Sequence, residues 1–61
     1  MYSWNVVYAL NNRRHEMVVN TVGLPEFTTY ESIEANVLLH GDKPIPGKIL
    51  YITFIGKDKK H

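Results

Sequence analysis

Three histidines are the residues of this chain best suited to bind a metal ion. His15, His40 and His61 fall in a predicted turn, at a predicted helix end and in a C-terminal tail, so no two of them have the spacing of shared ligands. His40 is better explained as a cation stabilised by the negative end of a helix dipole. We therefore expect neither a metal site nor a cofactor.

Carboxylates and hydroxyls offer little more for catalysis. Glu31 and Glu34 are one helical turn apart, which is more typical of a solvated helix start than of a general acid and base. Ser3 and Ser32 have no His and acid in a recognisable relation to them, and the chain has no Cys to act as a thiol nucleophile. We predict that the chain is not an enzyme.

Length and composition predict one small folded domain. The chain has 61 residues, of which 44% are hydrophobic and 21% charged, and its net charge of +1 is too balanced to imply a polyanionic partner. No segment approaches the roughly 20 apolar residues of a membrane span. Polar residues also interrupt the first apolar run too early for a signal peptide. We expect a cytoplasmic protein with one domain over residues 1–56 and a solvated basic tail over residues 57–61.

The first 22 residues predict a β-hairpin. Large apolar side chains alternate over residues 2–10, which is typical of a strand with one face in the core. The following Asn11-Asn12-Arg13-Arg14 predicts a turn, because Asn tolerates the left-handed backbone of tight hairpins. Residues 15–22 alternate again and predict the return strand.

A helix is predicted after the break at Gly23-Leu24-Pro25. Thr28 and Glu31 fit a capping box at its start, and Gly41 is placed for a left-handed C-terminal cap. The caps favour a helix up to His40, although Ala35 to His40 could also form a strand.

The last element predicted is a strand from Lys48 to Ile55. The order strand, strand, helix, strand predicts an α+β domain of ββαβ topology, with a three-stranded sheet in the order 2-1-3 and one helix on one face. Alternation in the third strand places Leu50, Ile52 and Phe54 toward the helix. The predicted core comprises Trp4, Val6, Tyr8, Met17, Val19, Ile33, Val37, Leu50, Ile52 and Phe54.

One helix covers only one face of such a sheet, so apolar side chains are expected on the open face. These are drawn from Val7, Ala9, Val18, Ile49, Tyr51 and Ile55. A patch of this kind usually marks a protein contact or a dimer interface, and less often a platform on which bases stack.

The basic residues are predicted to form two separate groups. Arg13 and Arg14 are expected near Lys43 and Lys48 at one end of the sheet, whereas the lysines of the C-terminal tail lie at the other end. A phosphate backbone follows a continuous basic stripe, so this distribution weakens a nucleic-acid hypothesis.

The whole pattern resembles that of very small phage-encoded ββαβ proteins. It comprises the aromatic strand from Tyr2 to Leu10, the Asn-rich turn, a second strand, the helix capped from Thr28 and the strand Ile49-Leu50-Tyr51-Ile52. Phage inhibitors of bacterial RNA polymerase are among these proteins, and the small epsilon subunit of some bacterial RNA polymerases is similarly arranged. The resemblance implies a phage or mobile-element protein that binds and inhibits a host protein in the host cytoplasm. It assigns no role to an individual residue.

The third strand is the predicted binding element. In the order 2-1-3 it lies at an edge, and its run Ile49 to Ile55 carries charge only at its two ends, on Lys48 and Lys57. Such an edge can pair with a strand of a partner protein or of a second copy. The alternative is a nucleic-acid-binding protein that uses the basic turn and the exposed aromatics. The predicted partner-binding residues are Arg13, Arg14, Ile49, Tyr51, Thr53 and Ile55.

Overall fold

The computed structural model describes residues 1–57. Its elements are β1 (Tyr2–Leu10), β2 (Arg13–Thr21), α1 (Tyr30–His40) and β3 (Lys48–Lys57). The strands form one sheet in the order β2-β1-β3, and both outer strands are antiparallel to β1. The predicted α+β class, ββαβ topology and strand order are confirmed, as is a helix over residues 35–40.

Lys57, predicted as the first residue of the tail, belongs to β3 instead. Lys57 pairs with Tyr2 as the last residue of β3, so the strand continues past Gly56. The remaining residues of the predicted tail, 58–61, lie outside the described part of the chain.

A two-residue turn joins β1 to β2. Asn11 and Asn12 have φ of 54° and 63°, the left-handed values that a tight hairpin turn needs at both central positions. Arg13 and Arg14, predicted to lie in the turn, are instead the first residues of β2, since two left-handed residues already reverse the chain.

The core lies between α1 and one face of the sheet. Trp4, Val6, Val19 and Val37 form its buried cluster, and the buried Thr21 hydroxyl accepts a hydrogen bond of 2.9 Å from Trp4 Nε1. The side chains that pack around this cluster are those of Met17, Ile33, Ile45, Ile49 and Ile52.

Three predicted core residues are less buried than expected. Leu50 is 44% exposed and Phe54 is 49% exposed, while Tyr8 is half-buried. The short helix does not extend over the whole sheet, and Val37 is its one fully buried side chain among the described residues.

The helix begins one residue later than the capping-box pattern predicts. Thr29 is the N-cap, and its hydroxyl accepts a 3.2 Å hydrogen bond from the backbone N–H of Ser32. Ser32, not Glu31, therefore occupies the third helical position, and its hydroxyl donates to the Thr29 carbonyl oxygen at 2.8 Å.

Gly41 ends the helix without a left-handed residue, contrary to the prediction. Its φ is −69°, its N–H donates to the Val37 carbonyl oxygen at 2.9 Å, and it forms an isolated bridge with Thr21. A Cβ here would overlap that carbonyl oxygen and lie 2.6 Å from Val19 Cγ1. Glycine is required because the helix end approaches β2 closely.

Asp42 fastens this helix end to the sheet. Its carboxylate accepts hydrogen bonds from the backbone N–H and side-chain amide of Asn20 at 2.9 and 3.1 Å, and its own N–H donates to the Asn20 carbonyl oxygen at 3.0 Å. The following Lys43 is therefore near the C-terminal end of β2. The prediction that Lys43 lies beside Arg13 and Arg14 is wrong.

Two β-bulges interrupt the pairing of β3 with β1. The register shifts between Ser3 and Trp4 and between Val7 and Tyr8 leave Ile55 and Leu50 as the extra residues of β3. The extra residue at position 50 reverses the alternation, so Ile49 pairs with Tyr8 and packs on the helix-side core. The prediction of Ile49 on the open face is therefore wrong.

Candidate partner-binding surfaces

The sheet face opposite α1 is covered by its own side chains. Val7 lies at its centre and is only 1% exposed. The cross-strand neighbours of Val7 are Glu16 and Tyr51, and Arg14 reaches across the central strand to Tyr51. Arg14 Nη2 donates to Tyr51 Oη at 2.6 Å, and its guanidinium carbon lies 5.6 Å from the ring centroid.

Polar pairs continue along this open face. Asn5 Nδ2 donates to Glu16 Oε1 at 3.3 Å, and Ser3 Oγ donates to Asn20 Oδ1 at 2.7 Å. The expected apolar patch is therefore replaced by a largely polar surface, although Val18 and Tyr51 are each 43% exposed.

The two arginines of the predicted site do not act as a pair. Arg13 is opposite Leu10 and Arg14 is opposite Ala9, so their side chains lie on different faces of the sheet. Lys48 also pairs with Ala9 and shares the open face with Arg14. Two cations on that face are a small patch rather than a stripe.

Three of the remaining predicted partner-binding residues, Tyr51, Thr53 and Ile55, lie along the exposed edge of β3. Within residues 1–57, β1 is the one strand that pairs with β3, so the other edge of β3 is unpaired. Tyr51 and Thr53 are exposed there on the open face, and the bulged Ile55 is 56% exposed. Ile49 is directed into the helix-side core and does not join them.

The longest run of β3 that pairs regularly with β1 is Tyr51–Phe54, between the two bulges. A bulge twists a strand and interrupts its hydrogen-bonding pattern, which limits edge-to-edge pairing. We call these four residues the edge segment. It is long enough for a short added strand and poorly suited to open-ended stacking.

An apolar pocket of about 330 Å³ lies on the helix side of the sheet, next to the edge segment. Its walls come from β1, β3, α1 and the loop that precedes α1. The side chains that line it are Trp4, Leu24, Pro25, Thr28, Ile33 and Phe54.

Sequence reasoning missed this pocket. The sequence pattern predicts Trp4 and Phe54 in the core and predicts only a break at Leu24-Pro25. A signal was nevertheless present, because Leu24 is a large apolar residue within a loop, where it is 53% exposed.

His15 and His40 lie on different elements, β2 and α1. The His15 ring stacks on Tyr8 with centroids 5.5 Å apart, and His40 is in the last turn of α1. No group of three or more potential metal ligands occurs among residues 1–57. No helix in this part of the chain is long and apolar enough to cross a membrane.

Comparison with known proteins returns no relative. The chain matches no family model, no curated protein and no solved structure.

Proposed function

We propose that this chain is a small non-enzymatic protein-binding module that pairs its β3 edge with a strand of a partner protein. The observation that carries the proposal is the unpaired edge segment, Tyr51–Phe54, at the side of a three-stranded sheet. Its backbone N–H and C=O groups can form a ladder with an added strand, and exposed alternate side chains can select the partner.

The distribution of charge on β3 supports this use of the edge. Natural proteins usually place a lysine or proline within an exposed edge strand to prevent pairing, whereas β3 has lysines only at its ends, Lys48 and Lys57. The two bulges restrict pairing to one short segment, which favours a single specific partner over aggregation.

The resemblance to very small phage-encoded proteins supports a narrower version of the proposal. In that version the module comes from a phage or mobile element, and the partner is a bacterial host protein, such as an enzyme, that it inhibits in the host cytoplasm.

The test compares two lysine substitutions that flank the same residue. Thr53 on β3 and Val18 on β2 both pair with Asn5, and both are exposed on the open face. Thr53→Lys places a charge at the proposed binding edge. Val18→Lys places the same charge on the same face but on β2, the other outer strand of the sheet. Far-UV circular dichroism and thermal melts establish that both variants are folded.

We expect tagged parent protein and Val18→Lys to capture the same bacterial protein, identified by mass spectrometry, and Thr53→Lys to lose it. Thr53→Pro, which also removes a backbone donor, should give the same loss if it remains folded. Capture that is equal for all three folded variants would contradict the proposal. Sedimentation at high concentration separately tests pairing between two copies of the chain.

A further inference from the structure

The apolar pocket and the proposed binding edge share Phe54. This residue is the last of the edge segment, its side chain is 49% exposed, and its ring packs on Trp4 with centroids 4.8 Å apart. A strand added beside β3 would lie about 4.8 Å away from it, with alternate side chains on the helix side of the sheet. The side chain opposite Phe54 would therefore lie at the mouth of the pocket.

The shape and chemistry of the pocket suit one large apolar side chain. Its volume of about 330 Å³ is at the small end of the range of about 300–1,000 Å³ typical of ligand pockets. Its lining is aromatic, aliphatic and proline carbon. The lining residues carry two side-chain polar groups, the Thr28 hydroxyl and the Trp4 indole N–H, and the indole N–H already donates to Thr21. Burial of a large apolar side chain is favourable in proportion to the apolar area removed from water, and aromatic anchors in pockets often carry much of the affinity of an interface.

The segment that forms two walls of the pocket is acidic. Residues 24–34 contain Glu26, Glu31 and Glu34 and no Lys, Arg or His. Partial burial and the nearby charge of Glu34 both raise the pKa of Tyr30, in the same segment. A partner segment with basic residues would complement this charge.

We propose that the pocket receives one large apolar side chain, aromatic or leucine, from the strand that a partner protein adds beside β3, and that basic residues flank this side chain. The inference rests on the proposed function and specifies the partner sequence: an extended segment with an apolar anchor and with lysines or arginines two residues to either side of it, on the same face. Main-chain pairing provides the docking, and the pocket provides the selectivity.

The experiment uses short synthetic peptides as probes. Nine-residue peptides of alternating Lys and Thr begin and end with Lys and carry Leu or Ala at the centre, so that the Lys residues lie on the same face as the central side chain. A third peptide has Leu at the centre and Glu in place of Lys. Trp4 is the only tryptophan of the chain and lines the pocket, so its fluorescence reports on occupancy. Fluorescence anisotropy of labelled peptides gives the affinity in parallel.

Two matched substitutions test the site within the full chain. Leu24→Asp places a carboxylate at the pocket, and Leu39→Asp places one on the outer side of α1, where Leu39 is 76% exposed. Leu24 is itself 53% exposed, so the first substitution should leave the fold intact, which a thermal melt checks.

We expect the Leu–Lys peptide to bind at least tenfold more tightly than the Ala–Lys peptide and to shift Trp4 emission. Leu24→Asp should abolish this tenfold preference and Leu39→Asp should preserve it. The Leu–Glu peptide should bind more weakly than the Leu–Lys peptide at low salt, by a factor that shrinks as salt increases.

Failure of the pocket and failure of the edge give different results. If the Leu and Ala peptides bind equally and Thr53→Lys abolishes the binding of both, the pocket proposal is overturned and the edge function stands. Free indole that binds as tightly as the Leu–Lys peptide would identify a small-molecule site and overturn it. A dimer that Leu24→Asp dissociates would identify a second copy as the occupant and also overturn it. Absence of peptide binding counts against the pocket, while the lysate capture decides the edge function independently.

Discussion

Trp4 joins the core to the candidate binding surface. Its ring lies against Phe54 in the wall of the pocket, while its indole N–H donates to the buried hydroxyl of Thr21. The Thr21 hydroxyl in turn donates to the Gly23 carbonyl oxygen at 2.9 Å, which fixes the start of the loop that carries Leu24. One buried polar pair therefore positions both sides of the pocket.

Replacement of Thr21 by Val should destabilise the domain by about 1–3 kcal/mol, because it leaves the buried indole N–H without an acceptor while it preserves side-chain volume. Each kcal/mol should lower Tm by about 4–8 °C in a domain of this size. Thr53→Val is the control, since Thr53 is exposed on the sheet. Equal melting temperatures for the two variants would refute the importance of this hydrogen bond.

Val37 should be the most sensitive position of the helix. It is 1% exposed, and an unpaired carboxylate at such a site costs several kcal/mol, comparable with the total stability of a small domain. We expect Val37→Asp to abolish the cooperative thermal transition. Leu39→Asp adds the same charge to the same helix at an exposed position and should melt close to the parent.

Asp42 should make the stability of the domain depend on pH in the acid range. Hydrogen bonds from the backbone N–H and side chain of Asn20 lower the pKa of Asp42 below its ordinary value of 3.8. The stabilisation is fully present above about pH 4 and is lost as the pH falls through the lowered pKa, since the unfolded chain then binds the proton more readily. Denaturant unfolding should show a smaller loss of stability over this range for Asp42→Asn. An unchanged pH profile would rule out this contribution.

The elements illustrate what local sequence does and does not determine. The hairpin, the helix and the strand order were predictable because they depend on turn residues, cap-forming residues and apolar periodicity. The geometry of the caps was not, since the helix begins one residue later than the predicted cap and ends without a left-handed glycine. The bulges at Leu50 and Ile55 were not, because Ile49 to Ile55 is apolar on both faces and periodicity cannot detect an extra residue. The bulge at Leu50 reversed the face of Ile49, and the prediction of the apolar open face failed with it.

The turn between β1 and β2 provides a prediction at the level of an element. Asn12 has φ of 63°, a conformation that costs an ordinary L-residue about 1–2 kcal/mol and costs glycine almost nothing. Asn12→Val should therefore destabilise the hairpin, and Asn12→Gly should maintain or raise its stability. Chemical denaturation of both variants measures the difference, and a Val variant as stable as the Gly variant would contradict the left-handed turn.

The size of the molecule explains why so much apolar surface remains exposed. The Cα atoms extend over 35 × 25 × 16 Å, so the domain has two layers at its thickest and cannot enclose all its large side chains. On the sheet face without a helix, Arg14 and Tyr51 cover Val7 and keep it buried. On the helix side, large apolar side chains stay exposed, among them Leu24, Phe54 and Leu39.

The charge distribution over residues 1–57 predicts weak binding to nucleic acid. Arg13 and Arg14 lie on opposite faces, Arg14 already contacts Tyr51, and Lys43 lies away from both, next to Asp42 near the C-terminal end of β2. Labelled single-stranded DNA and RNA should therefore show no measurable anisotropy change with the protein at about 50 mM salt. The alternative function instead requires affinity that falls steeply between about 50 and 200 mM salt and that Arg13→Ala with Arg14→Ala weakens on every sequence. That result would favour the basic turn over the β3 edge as the functional surface, because a steep loss of affinity with salt on every sequence reports contacts to phosphate.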